Sequence, residues 1–347
     1  MRDARSLPWL STPLSQALQA RGHALVLHGA GGAGLLELGW TLARGWLCEG
    51  AGARPCGECG SCHLTQQHGH PDLRLVLPEV WQQQLGQGGD GDDGGDAEGG
   101  KGKRKPSKDI RVEQIRQAID WSHTTSGRGQ GKVMLLFPAD AMNAVSANAL
   151  LKTLEEPAAG LRLVLCTEDP ERLLPTIRSR CQMLRVPLPD APQSLAWLRE
   201  QGLADADWLL RACNDQPLAA LSAASQGLTA EVWRALPAQL ARADGSVLGA
   251  MALPDALRTL QQICHDLMAV AVGAEPRYFQ RADLPRRVPL TAVSGFSRAL
   301  MQAVRQQDHP WNAGLLLESL LQQGREALGG TEGRERAAGA RAATLRP

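Results

Sequence analysis

The chain has 347 residues, which is long for one ordinary compact domain and predicts two or three domains. Its 37 Lys and Arg residues balance 36 Asp and Glu residues, so the whole chain has no strong field that would draw it onto nucleic acid or an anionic membrane. No apolar run approaches the ~20 residues that span a bilayer, and residues 1–10 have no signal-peptide core, so we expect a soluble cytoplasmic protein.

The sequence predicts that strands and helices alternate through the first half of the chain. A buried strand at 23–28 is followed by a glycine-rich turn at 29–34 and an apolar helix at 35–47. Further strands are predicted at 73–77, 133–137 and 161–166, and further helices at 112–121 and 146–156. This alternation predicts an α/β fold whose parallel sheet is covered on both faces.

The remainder of the chain differs in composition. Residues 86–108 are first acidic and then basic, with almost nothing apolar to bury, and we predict a disordered insertion there. Strand signals stop after about residue 187, and helical patterns occupy 195–227 and 257–328. Residues 329–347 are rich in Gly, Ala and Arg and are expected to form a flexible tail.

The glycine-rich turn has the glycine spacing of a phosphate-binding P-loop but lacks its reactive residues. A P-loop needs a Lys for the phosphates and a Ser or Thr for magnesium, and Leu35 and Leu36 follow Gly34 in those places. The later buried strand at 133–136 runs into Phe137 and Pro138, where ATPases have acidic residues. From these residues alone, a turn that packs a helix onto the sheet is favoured over nucleotide hydrolysis.

A cysteine cluster follows the first helix. The spacing Cys56-x-x-Cys59-x-x-Cys62, with Cys48 eight residues earlier, predicts a structural zinc module at 48–62. The fourth ligand is open from spacing alone, because three histidines lie nearby (His63, His68 and His70). The other four cysteines are scattered and are expected to be small buried residues. His265 and Asp266 are adjacent on a predicted helix, so we expect two surface side chains that point apart.

Two further motifs resemble a known family. The run from Asn148 to Pro157 and the Ser-Arg-Cys segment from Thr176 to Cys181 resemble the AAA+ domain of bacterial clamp-loader subunits. The resemblance covers about 8–187 apart from the insertion, and less distinctly the helical remainder, where residues 310–312 and 315–321 resemble the family's collar. It implies an AAA+ domain at 1–188, a helical lid at 189–230 and a helical collar at 231–328.

The resemblance also implies roles for single residues. The Ser-Arg-Cys arginine, Arg180, would act in trans as an arginine finger in the ATP site of a neighbouring subunit. Thr167 matches the first sensor position and would be a relic, and Ala219 stands where active relatives have the second sensor arginine. The degenerate loop from Gly29 to Leu36 is typical of the delta prime type, and the family's zinc module supports Cys48 as the fourth ligand.

The expected function is therefore that of a non-hydrolysing, stator-like subunit of the DNA polymerase III clamp loader. Such a subunit has no activity of its own and belongs to a nucleotidyltransferase holoenzyme. Its partners would be the tau and gamma ATPase subunits and delta, with the sliding clamp and primed DNA engaged through the complex.

Two other functions stay open at this point. One is an active P-loop ATPase that acts on DNA, which requires nucleotide binding by the chain alone. The other is a stand-alone zinc-containing nucleic-acid-binding module, for which the cysteine cluster and the basic run 101–108 would be the footprint.

Overall fold

The computed structural model describes residues 2–86, 106–306 and 312–329. The predicted insertion and flexible tail lie almost wholly outside these ranges, as do Pro310 and Trp311 of the proposed collar motif. The chain divides into two units, Met1–Trp197 and Leu198–Pro347. The finer division of the second unit into lid and collar stays a prediction.

The first unit is built on a five-stranded parallel sheet. In spatial order the strands run β2-β3-β4-β1-β5, and each pairs in parallel with its neighbours. Their bounds are Ala24–His28 (β1), Leu73–Val76 (β2), Lys132–Leu136 (β3), Leu161–Thr167 (β4) and Gln182–Arg185 (β5). The central strands β3, β4 and β1 are almost entirely buried, as expected for apolar strands covered on both faces.

Helices cover both faces of this sheet. Alternate strand positions such as Met134 and Leu163 pack on one face against Ile115 and Leu150. On the other face Gly39 allows a close helix approach, because a Cβ there would lie 2.7 Å from Cys166 Sγ and 2.8 Å from Leu135 Cδ1. The helices are Ser11–Leu18 (α1), Leu35–Leu47 (α2), Gly60–Gln66 (α3), Glu79–Gln84 (α4), Val112–Ser122 (α5), Ala144–Glu155 (α6), Pro175–Arg178 (α7) and Ala191–Glu200 (α8). The predicted α/β architecture is confirmed.

The second unit contains only helices within the residues that the structure describes. They are Asp207–Ala212 (α9), Pro217–Ser225 (α10), Ala230–Ala241 (α11), Leu253–Ala271 (α12), Leu290–Arg305 (α13) and Ala313–Gly329 (α14). One apolar core joins α9 and α11 to α14, with Leu236, Leu260 and Phe296 at most 3% exposed. The predicted all-helical second half is confirmed. Across the described ranges no helix combines the length and apolarity needed to cross a membrane.

The prediction that Asp266 is a surface residue was wrong. Its side chain is fully buried, and its carboxylate accepts backbone N–H groups from Arg277 (2.9 Å), Tyr278 (2.7 Å) and Phe279 (2.8 Å). The neighbouring His265 Nδ1 lies 2.9 Å from the same carboxylate. A buried carboxylate is stable when hydrogen bonds replace its water, and these donors come from a loop that is distant in sequence.

Candidate functional site

The degenerate phosphate loop lies at the carboxyl edge of the sheet, between β1 and α2. Gly34 has a φ of 92°, a left-handed conformation that suits glycine. Gly29 has no room for a side chain, because a Cβ would lie 2.3 Å from the Val186 carbonyl oxygen. The Trp9 indole N–H donates to the Ala33 carbonyl at 2.8 Å. The glycines are therefore explained by backbone geometry and close packing.

The two leucines in place of the reactive residues are part of the core. Leu35 is 5% exposed and Leu36 is 6% exposed, at the first two positions of α2. Neither side chain offers a positive charge for phosphate oxygens or a hydroxyl for a magnesium ion. The loop therefore provides backbone N–H groups at most.

Two further positions that the sequence singled out lie at the neighbouring strand ends. Thr167 is fully buried beside His28, and its hydroxyl donates to Asp140 Oδ1 at 2.8 Å. Phe137, which follows β3, is 6% exposed and packs edge-on against Trp81 with ring centroids 4.8 Å apart. The structure therefore places the predicted relic sensor, Thr167, in a hydrogen bond within its own chain.

A carboxylate lies against the glycine loop. A Cβ on Gly31 would be only 2.9 Å from both carboxylate oxygens of Glu168. Desolvation raises the pKa of Glu168, and the neighbouring charge of Asp140 raises it further. Two acidic side chains, Glu168 and Asp140, therefore lie close together at this end of the sheet. Sequence reasoning missed Glu168, which no local motif marks.

Arg180 lies in the turn between α7 and β5. Its Nη1 donates to the Thr176 carbonyl at 2.9 Å, and its Nη2 forms a short ion pair with Glu155 at the end of α6. The Arg180 side chain is 34% exposed. The Ser-Arg-Cys turn and the end of α6 are distant in sequence. They meet at this guanidinium, through Arg180 and Glu155.

Ala219, at the position where the resemblance implies a second sensor, lies in the second unit. Ala219 is on α10, near its N-terminal end at Pro217. A methyl side chain has no charge or hydrogen-bonding group for a phosphate.

The structure brings the four predicted cysteines together. Their Sγ atoms all lie within 4.8 Å of one another, with Cys48–Cys59 and Cys56–Cys62 both at 3.9 Å. Cys48 is positioned by the end of α2, for which it is the C-cap, and Cys59 is the N-cap of α3. Among the described residues, no histidine joins this cluster. The structure therefore brings Cys48 itself, rather than a histidine, to the other three thiols.

Backbone N–H groups donate hydrogen bonds to the sulfur atoms and so stabilise negative charge on them. Four of them, from residues 50, 56, 59 and 62, lie 3.3–3.4 Å from a cysteine sulfur. Burial raises the pKa of Cys59, but these hydrogen bonds outweigh it and lower the pKa to about 6. Burial and the adjacent thiols raise the pKa of Cys62 to about 12. Cys59 therefore favours the thiolate form, whereas a nearby cation is needed to ionise Cys62.

A Ser-His-Asp grouping beside the cluster is structural. Ser61 Oγ lies 2.5 Å from His70 Nε2, and the His70 Nδ1 accepts the backbone N–H of Asp72 at 3.0 Å. Because Nδ1 is an acceptor, Nε2 must hold the ring proton and donate it to Ser61. Burial lowers the pKa of His70, so the ring is neutral. It does not activate the serine; it fastens α3 to the start of β2.

Known proteins with similar sequences carry names from bacterial DNA replication. The chain is 38% identical over 217 residues to DNA polymerase III subunit delta' of Pseudomonas aeruginosa, a match that covers 62% of this chain and 55% of that protein. It is 31% identical over 229 residues to the same subunit of Escherichia coli, covering 64% of this chain and 59% of that protein. DNA polymerase III subunit tau of Salmonella typhimurium is 31% identical over 172 residues, 49% of this chain and 22% of that protein.

These matches span less than two thirds of the delta' relatives' own lengths. They nevertheless confirm the resemblance to clamp-loader subunits, because several delta' proteins each match more than 60% of the chain. A family model described as DNA polymerase III, delta subunit, matches residues 11–190, which is more than half of the chain. The chain therefore belongs to this DNA polymerase III subunit family.

Proposed function

We propose that this chain is a non-hydrolysing subunit of a bacterial DNA polymerase III clamp loader, of the delta prime type. In that complex it helps to load the sliding clamp onto primed DNA. Its partners are the tau or gamma ATPase subunits and delta, and its contact with clamp and DNA is made within the assembly. The helices of residues 231–328 form the collar that holds the oligomer together.

This proposal rests above all on the side chains at the chain's own glycine loop. Leu35 and Leu36 are buried apolar residues where ATPases use a cation and a hydroxyl. Glu168 lies against the glycines that would face phosphate. A family member with such a loop contributes to ATP hydrolysis through a neighbour's site.

Arg180 is the group that acts on the neighbour. A guanidinium is planar and permanently charged, and its fork of N–H donors matches phosphoryl oxygens as charge spreads in the transition state. The ion pair with Glu155 and the hydrogen bond to Thr176 orient this group before the neighbour arrives. Exposed ion pairs are worth about 1 kcal/mol or less, so Arg180 can exchange Glu155 for a stronger phosphate partner.

The cysteine cluster holds a structural zinc ion. In a tetrahedral zinc–thiolate site with bonds of about 2.3 Å, the sulfur atoms are about 3.8 Å apart. The two sulfur contacts of 3.9 Å fit that geometry, and four thiols leave no position open for catalysis. The bound ion would join the end of α2 to α3 and the loop between them.

The purified chain should not hydrolyse ATP by itself. Phosphate release should equal the blank, and the double variant Leu35→Lys with Leu36→Thr should not restore turnover, because Phe137 and Glu168 remain. Turnover above the blank by the unmodified chain would instead indicate an active P-loop ATPase. Salt-dependent binding of DNA by the isolated chain would favour the zinc-containing nucleic-acid-binding module.

The positive test mixes the chain with purified clamp-loader ATPase subunits and follows nucleotide turnover with and without it. We expect turnover to require the chain. Equal rates in both mixtures would contradict the proposal.

A further inference from the structure

Two guanidinium groups approach the cysteine cluster from distant parts of the first unit. Arg5 comes from the N-terminal segment, and its Nη1 donates to the Pro55 carbonyl at 2.8 Å, next to Cys56. A Cβ on Gly57, inside the Cys-x-x-Cys loop, would lie 4.0 Å from Arg5 Nη2. The other Arg5 nitrogens bind Asp3, at 2.7 and 3.1 Å.

Arg128 approaches through the loop that precedes β3. It forms a two-point ion pair with Glu49, at 2.6 and 3.0 Å, and Glu49 directly follows Cys48. A Cβ on Gly60 would lie 2.8 Å from Arg128 Nη2, so this side chain crosses the start of α3 beside Cys59. The loop itself is held by the Asp72 carboxylate, which accepts the Arg128 backbone N–H at 2.9 Å.

Charge explains why two arginines would lie here. Four thiolates around a divalent cation have a net charge of about −2, which is costly to hold in a partly buried loop. Outer-shell groups that compensate such a charge and hold the ligand loops commonly change metal affinity by about 10- to 100-fold. Arg5 and Arg128 satisfy both requirements, because each is cationic and each is bonded beside a cysteine.

We propose that Arg5 and Arg128 are outer-shell positioning residues of the metal, and that metal binding in turn orders the N-terminal segment and the loop at 126–129. This inference rests on the zinc ion proposed above. It assigns the cysteine module a structural role, in which the metal site anchors the N-terminal segment through Arg5 and the loop at 126–129 through Arg128.

The N-terminal segment extends this effect towards the glycine loop. The Ala4 backbone N–H donates to Thr41 Oγ1 on α2 at 2.8 Å, in a buried position. Further along the segment, Trp9 donates to the Ala33 carbonyl of the glycine loop, and the Ser6 carbonyl accepts the Trp197 indole N–H at 3.1 Å. Loss of the Arg5 contact would therefore loosen a segment that packs on α2 and on the glycine loop.

Metal affinity of full-length variants tests the outer-shell role. Zinc competition against a chromophoric chelator should show about 10-fold weaker binding for Arg5→Gln and for Arg128→Gln, and about 100-fold weaker binding for the double variant. Glu49→Gln is the matched control for Arg128→Gln, because it removes the same ion pair but deletes negative charge, so it should bind zinc at least as tightly as the unmodified chain. For Arg5→Gln the control is the unmodified chain, because Asp3 also pairs with the buried Arg44 at 2.9 Å.

Hydrogen exchange tests the ordering. Removal of the metal should speed amide exchange at residues 4–10 and 126–129 by about 10-fold or more, with no change in α12 of the other unit. If the unmodified chain holds no zinc, the metal assignment fails. If it holds zinc but the arginine variants bind as tightly as their controls, or if exchange at 4–10 does not change, this inference alone is overturned.

Discussion

Replacement of Arg180 by alanine should lower ATP turnover by the reconstituted clamp loader by up to about 10³-fold. The guanidinium would meet phosphoryl oxygens most strongly as charge develops in the transition state, so the loss should appear in kcat more than in KM. Arg180→Lys should not restore the rate, because an ammonium lacks the planar fork of donors. Steady-state phosphate release over a range of ATP concentrations measures both parameters.

The chain offers a closely matched control for this experiment. Arg178 lies two residues earlier, its side chain is also 34% exposed, and it forms an ion pair with Glu171 at 2.6 Å. Arg178→Ala therefore removes the same charge from the same surface. Both variants should fold and assemble like the unmodified chain, as judged by circular dichroism and size-exclusion chromatography. Equal losses in both variants, or a normal rate with Arg180→Ala, would show that Arg180 is not the finger.

The absence of the P-loop lysine and of its Ser or Thr could be predicted from the sequence, because these residues stand at fixed positions next to the glycines. A P-loop Lys and Ser or Thr must directly follow the last glycine, so Leu35 and Leu36 can be judged from spacing alone. The contact of Glu168 with Gly31 joins the end of β4 to the loop after β1, and these strands are neighbours only in the folded sheet. Such long-range contacts leave no periodic pattern in one sequence.

Apolar periodicity found the buried strands and missed β5. The residues of β5 are Gln182, Met183, Leu184 and Arg185, and three of these four are exposed. This edge strand forms because its backbone pairs with β1, and backbone pairing does not depend on an apolar run. The strand bears on the role proposed for Arg180, because it begins just after this residue and fixes the turn that holds it.

The fourth ligand of the proposed zinc ion could be chosen only from the folded structure. Spacing left Cys48 and three histidines as candidates for the fourth position. In the structure His70 is bound to Ser61, and the ring of His68 lies 4.8 Å from that of Trp40. Cys48 is brought to the other thiols by the end of α2 and by the return of the chain at 49–56. The cluster thus depends on the packing of α2, which a ligand motif alone does not specify.

Removal of the metal should destabilise the first unit, and the loss should be larger near neutral pH, where zinc binds more tightly, than in acid. Structural zinc sites in small peptides contribute apparent binding free energies of about 10–16 kcal/mol near neutral pH, so even a fraction of this would be a large share of a domain's stability. Cys62→Ser should abolish stoichiometric zinc binding and lower the melting temperature of the chain. Cys181→Ser, which alters a thiol outside the cluster, should leave the zinc content unchanged.

The pH dependence follows from competition between protons and the metal. Without metal, the pKa of Cys59 is lowered to about 6, so this thiolate is present above pH 6 and is lost as the pH falls through that value. The pKa of Cys62 is raised to about 12, so zinc must displace its proton at neutral pH. Zinc affinity should therefore fall by at least about 10-fold per unit as the pH drops from 7 to 5. A zinc titration whose midpoint is independent of pH over this range would contradict thiolate ligation.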